Sequence, residues 1–101
     1  MMNKHQCLKY SMKEASKRLK TISEPNRLKI LCLLKNSSMC VCELQKSIGA
    51  PHNLILHHLK SLKKLGIIKS KNVGRFTFYI LDKKEWNKFA KSIDFLFRLN
   101  K

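Results

Sequence analysis

Acidic residues are scarce in this chain of 101: six Asp and Glu stand against 22 Lys and Arg, a formal net charge of +16 at pH 7. The six (Glu14, Glu24, Glu43, Asp82, Glu85 and Asp94) are scattered, so they assemble no carboxylate pair or nucleophile-base set for general acid-base catalysis. Three glycines and two prolines leave no glycine-rich loop to cradle phosphate and no flexible or proline-rich linker. An enzyme is therefore not expected. No run approaches the roughly 18 consecutive apolar residues of a membrane span. Met1-Met2-Asn3-Lys4-His5 has no apolar stretch behind it of the kind that directs export. The expectations are a cytoplasmic protein without a membrane partner. In a reducing compartment its four cysteines serve as ligands, sensors or core residues rather than disulfides.

What is present is a folding chain. A hydrophobic content of 44% is too high for a disordered basic tail. A chain of this length buries only about 60–65% of its unfolded surface, enough for one domain spanning residues 1–101 and no second core. Its charge attracts polyanions through non-directional forces, which admits both nucleic acid and an anionic surface. The order of the residues has to choose.

Leu8, Met12, Ala15, Leu19 and Ile22 follow a 4-3-4-3 spacing that lays one stripe along a helix from Lys9 to Ile22. Ser23, Glu24 and Pro25 supply capping and first-turn signals for a second helix, apolar on most sides and so expected to be buried. Asn36, Ser37 and Ser38 precede a short third helix, Met39 to Ile48, closed by Gly49. Pro51 opens a fourth, which runs to Leu65. Successive residues of this helix at 100° put Ile55, Leu59, Leu62 and Leu65 on one side and Asn53, His57, Lys60 and Lys64 on the other. Ile67 to Lys71 and Arg75 to Leu81, around a turn at Asn72-Val73-Gly74, read as a β-hairpin with a basic tip. Asp82 caps a last helix carrying Trp86, Phe89, Ala90, Ile93 and Leu96 at helical spacing.

The predicted fold is mainly α with a β-hairpin wing, in the order α-α-α-α-β-β-α. Two helices joined by the tight Gly49-Ala50-Pro51 turn directly before a hairpin make a winged helix-turn-helix. Charge agrees: from Leu44 to Leu81 there are seven Lys or Arg, three His and no carboxylate, so this block approaches phosphates without like-charge repulsion. Its lysines could equally form an ordinary solvated face. The coincidence of turn, polar helix face and basic tip within one acid-free block favours double-stranded DNA. Asn53 and His57 are placed near base edges, with Leu56 beside them against a thymine methyl. Lys60, Lys64 and His52 are placed on phosphates, and Lys71 and Arg75 at the wing on phosphate or minor groove. His58, about 100° from Leu59, is expected to be a packed, hydrogen-bonded histidine.

Cys40-Val41-Cys42 is the sharpest chemical feature. Two thiols one residue apart, at the positive end of helix three and among lysines, suit a soft metal. The same pair also reads as two small semi-buried hydrophobes. Residues i and i+2 lie about 200° apart on an ideal helix, so both sulfurs would grip one ion only if the first turn opened. Two ligands do not complete a site; Cys7 is the candidate third and His5 a weaker fourth. Cys32, inside Ile30-Leu31-Cys32-Leu33-Leu34, is expected in the core.

Several stretches carry a likeness to a known family: Pro25 through Leu34, the box Cys40-Val41-Cys42-Glu43-Leu44, His57-His58-Leu59-Lys60-Ser61-Leu62 leading to Leu65-Gly66-Ile67-Ile68, and Gly74-Arg75 with Tyr79-Ile80-Leu81. Along nearly its whole length the chain resembles the ArsR/SmtB family of winged-helix, metal-sensing transcriptional repressors. The resemblance implies a homodimer held by the first and last helices, bound to operator DNA in the metal-free state and released by metal, with Cys40 and Cys42 as the helix-three metal box. The effector it implies is a thiophilic ion, As(III), Cd(II), Pb(II) or Zn(II), with no organic cofactor. Three positions depart from the family pattern. Gln45 stands where arsenite-responsive members often carry a third cysteine, the last helix lacks the histidines of a second zinc site, and Leu56 replaces the usual serine.

Dimerisation has a reason of its own, since the stripes of the first and last helices, including Trp86, Phe89 and Phe97, offer more apolar surface than one small core covers. A two-fold dimer sets its reading helices about 34 Å apart on an imperfect palindrome. Two alternatives stand beside the metal-responsive repressor: a redox- or persulfide-responsive repressor using the same cysteines, and a basic nucleic-acid-binding protein with no regulatory ligand.

Overall fold

The computed structural model describes residues 12–99. Five helices and three strands follow in the order α1 (Met12–Ile22), α2 (Pro25–Leu34), β1 (Met39–Cys40), α3 (Val41–Ile48), α4 (His52–Leu65), β2 (Ile68–Val73), β3 (Phe76–Leu81) and α5 (Lys83–Phe97). The winged helix-turn-helix is present, with one strand more than its sequence announces.

Local chemistry sets each boundary. The Glu24 carboxylate caps α2 by accepting from the Arg27 N–H at 3.0 Å, and Pro25, which has no N–H to satisfy, fills the first turn. Asp82 does the same for α5, accepting from the Glu85 N–H at 3.2 Å. Gly49 ends α3 at φ 77°, a left-handed conformation that a side chain disfavours, and this lets the chain reverse tightly into Pro51 and α4.

The core gathers where α2, α3 and α4 meet the sheet. Ile30, Leu34, Leu44, Ile55, Leu59, Leu62 and Ile67 are fully enclosed there, with Leu81 from the wing strand packed against them. Helix α2 turns Ile30, Leu31 and Leu34 inward, but Leu28 is 49% exposed and Cys32 is exposed. The expectations of a helix buried on most sides and of a core Cys32 are therefore corrected. Residues 28 and 32 fall on the side opposite 30, 31 and 34 at 100° per residue, and α3, α4 and β3 cover only the inner side. Helix α5 buries Phe89 and lays Trp86 edge-on against it, with ring centroids 6.2 Å apart, while Phe97 stays 71% exposed. No helix among the described residues is long and apolar enough to cross a membrane.

The sheet is antiparallel in the order β1-β3-β2, so the wing's second strand is central. Val73 pairs with Phe76, which leaves Gly74-Arg75 as a two-residue turn with Gly74 at φ 61°. Asn72 and Val73, expected in the turn, instead continue β2, because the glycine's positive φ lets the hairpin close within two residues. Strand β1 pairs Met39 with Tyr79 and Cys40 with Phe78.

Candidate nucleic-acid interface and thiol pair

Helix α4 divides cleanly. Ile55, Leu59 and Leu62 are enclosed, whereas Asn53, His57, Lys60 and Lys64 are exposed together on the opposite face. His52 is exposed at the first turn and Leu56 is half-buried at the margin. Lys71 and Arg75 are exposed on the wing, so every residue assigned to DNA from sequence lies on accessible surface apart from the partly covered Leu56. The wing is braced to the helix where Lys63 Nζ donates to Ser70 Oγ at 2.6 Å, and across itself where Thr77 Oγ1 donates to Asn72 Oδ1 at 2.9 Å. His58, by contrast, is 5% exposed and its Nδ1 accepts from Arg27 Nε at 2.9 Å. The two adjacent histidines thus serve opposite sides of the helix.

The thiol pair is built differently from its sequence reading. Cys40 is not in the helix. It ends β1 and caps α3 in extended backbone, φ −87° and ψ 169°, and only Cys42 lies in the first turn. The 200° separation expected of i and i+2 therefore does not apply. The two Sγ atoms are 3.1 Å apart with the helix regular, so no opening of the first turn is needed to bring them together. The Cys40 N–H donates to Glu43 Oε1 at 3.1 Å, the reciprocal half of a capping box in which a thiol takes the place of the usual hydroxyl.

Cys40 is buried and Cys42 exposed. The hydrogen bond with Cys42 pushes the Cys40 thiol above its ordinary 9.0, burial adds to this, and the Glu43 backbone N–H at the sulfur opposes it. The bond from the Cys40 N–H, with one from its thiol, holds the Glu43 carboxyl below the usual range. One thiol donates to the other across the 3.1 Å contact.

Two thiolates holding one ion through bonds of about 2.3 Å at a tetrahedral angle stand about 3.8 Å apart. From 3.1 Å this is reached by small side-chain rotations, so the donors fit a thiophilic ion as two of its ligands. The described residues hold no cluster of three or more His, Cys, Asp or Glu that closes such a site. Cys7 and His5 lie outside the described residues.

Sequence reasoning missed two things. One is the ladder that joins Cys40 to Phe78 of the wing, since a two-residue strand has no period to read. The other is a cleft of about 290 Å³ whose walls are Cys40 and Cys42, His52 and Leu56 of α4, and Arg75 and Tyr79 of the wing. The thiols share one cavity with His52, Leu56 and Arg75, three of the residues that the sequence assigns to DNA.

The model of the family "Bacterial regulatory protein, arsR family" matches residues 24–70. An uncharacterised HTH-type transcriptional regulator of Methanocaldococcus jannaschii is 38% identical over 80% of this chain and 92% of its own. The arsenical resistance operon repressor of Staphylococcus xylosus is 30% identical over 85% of this chain and 83% of its own. The cadmium resistance transcriptional regulatory protein CadC of Listeria innocua is 40% identical over 61% of this chain; the match spans about half of that protein, 53%. Among solved structures, the transcriptional repressor BigR from Xylella fastidiosa superposes with a TM-score of 0.75 at 25% identity, covering 98% of this chain and 100% of that one.

Proposed function

Because the chain belongs to the arsR family of bacterial regulatory proteins, a family of transcriptional regulators and not of enzymes, we propose that it is a metal-responsive repressor. In this reading a homodimer binds an imperfect palindrome of operator DNA and lets go when As(III), Cd(II), Pb(II) or Zn(II) engages Cys40 and Cys42, with Cys7 as third ligand. The observation that carries the reading is the shared cleft: the thiol pair borders His52, Leu56 and Arg75.

On the surface beside that cleft each group has a task. Asn53 and His57 meet base edges and Leu56 a thymine methyl; His52, Lys60 and Lys64 meet phosphates, and Lys71 and Arg75 carry the wing to phosphate or minor groove. The ion supplies two soft bonds that replace the thiol protons. Cys40 caps α3 and is paired with Phe78, so a displacement of its sulfur on holding an ion would bear on α3 and on β3 together. Helix α3 leads through Gly49 into α4, and β3 carries the tip that holds Arg75. Both DNA-reading elements are thus one step from the sulfur.

The test is titration of a protein–operator complex with each of the four ions, following DNA release and metal-thiolate absorption in wild type and in Cys7→Ser, Cys40→Ser and Cys42→Ser. Release by at least one ion, lost in Cys40→Ser and Cys42→Ser, is expected. Unchanged DNA affinity with every ion would overturn the sensor, and an unaltered complex in Cys7→Ser would remove the third ligand.

The 3.1 Å sulfur contact supports a second reading, a thiol redox switch. Peroxide would draw two electrons and two protons from the pair, forming a disulfide and two waters. Release by peroxide or polysulfide but by none of the ions selects it.

A further inference from the structure

Away from the cleft, a second polar cluster, part-buried around the buried His58, lies behind the DNA-facing side of α4. Arg27 of α2 donates from Nε to His58 Nδ1 at 2.9 Å, from Nη2 to Ser61 Oγ at 3.2 Å, and from Nη1 to the Thr21 carbonyl at the end of α1 at 3.0 Å. Ser61 Oγ passes the chain on to the His57 carbonyl at 3.2 Å. The Arg27 N–H is itself held by the Glu24 carboxylate, and Glu24 Oε2 stands 3.4 Å from His58 Nε2. One side chain therefore links α1, the start of α2 and two successive turns of α4.

We propose that Arg27 and His58 are positioning residues for operator recognition, fixing the rotation of α4 on α1 and α2, and that the lock holds only while His58 is neutral. This rests on the DNA-binding reading above. Arginine cannot accept a hydrogen bond and stays charged, so His58 Nδ1 has to be the acceptor. Its single proton then sits on Nε2, facing Glu24. A second proton would set Nδ1–H against Nε–H across 2.9 Å, and the link would break.

Three charged or titratable groups face the imidazole. Glu24 favours the imidazolium; Arg27 and His57, whose ring lies 5.6 Å from that of His58, oppose it. Burial opposes it most and keeps His58 below its ordinary 6.5. Burial pushes Glu24 up, but the hydrogen bonds from the backbone N–H groups of Arg27 and Asn26, with the Arg27 charge, hold its carboxyl below the ordinary 4.5.

Charge on the exposed face acts on any duplex alike, so a loss of preference between two duplexes in acid reports the lock and not the surface charge.

The experiment uses the full chain, a duplex selected by that chain from random sequence at about pH 8, and an unselected duplex, with fluorescence anisotropy at fixed salt from about pH 8 to about pH 5.5. Wild type is expected to lose at least about twofold and less than about tenfold of its preference for the selected duplex across that range, because His58 gains its proton below its ordinary 6.5. His58→Gln keeps an acceptor for Arg27 and does not titrate, so its preference stays flat. Arg27→Lys keeps the charge but not the three-way fork, and loses about tenfold of preference even at pH 8, with helix content by circular dichroism unchanged. A wild-type preference that is flat or rises in acid, or a His58→Gln that copies its acid loss, would overturn the proposal. Should acid unfold the chain, the Arg27→Lys ratio at pH 8 decides: an unchanged ratio refutes the lock. If no sequence can be selected at all, the DNA-binding reading fails instead.

Discussion

One residue separates Cys40 from Cys42, yet their sulfurs live in different surroundings. The first is buried, capped by a backbone N–H and holding its proton tightly; the second is exposed. Because the thiolate is the attacking species, iodoacetamide at neutral pH should modify Cys42 and the exposed Cys32 several-fold faster than Cys40. Peptide mass mapping over time checks this, and equal rates at all three would contradict the burial described here. Cys32 marks a limit of sequence reading at this scale: the run from Ile30 to Leu34 is apolar throughout, so which side meets the core is decided by what packs on it, and nothing in the run itself says so. His57 and His58 mark the opposite case. Their 100° offset alone separates the exposed ring from the enclosed one, and the structure agrees. Arg27 was legible only as one charge among 22, since its partners lie 31 and 34 residues away.

Helix α4 was legible because its two faces differ in chemistry at every turn, whereas β1 was not, being two residues with no alternation to detect. The same helix offers a paired test of the two faces. Leu59→Ala, at a site with no exposure, should cost about 2–5 kcal/mol in urea unfolding. Lys60→Ala and Lys64→Ala should leave unfolding within about 0.5 kcal/mol of wild type. Each should lower the slope of log affinity against log salt by about 1, if its ammonium meets a phosphate. A Lys60→Ala variant with an unaltered salt slope would return that lysine to the ordinary solvated face considered at the outset.

Large apolar side chains lie exposed away from the single core, among them Met12 of α1 and Phe97 of α5. A partner copy covering those helices would supply the missing enclosure and the two-fold needed for a palindrome. Sedimentation should find a dimer at micromolar concentration, shifted toward monomer by Phe97→Asp; a wild-type monomer would leave one reading head per molecule and remove the palindrome. Charge was the whole-molecule property most visible in sequence, and its acid-free stretch holds every residue assigned above to DNA. The strand order adds a last consequence. One edge of the sheet is a two-residue strand and the other carries Lys69 and Lys71, so neither offers a long, uncharged template for a foreign strand. The exposed Val73 and Phe76 at the wing tip are thereby kept beside edges that discourage strand-to-strand stacking between copies of the chain.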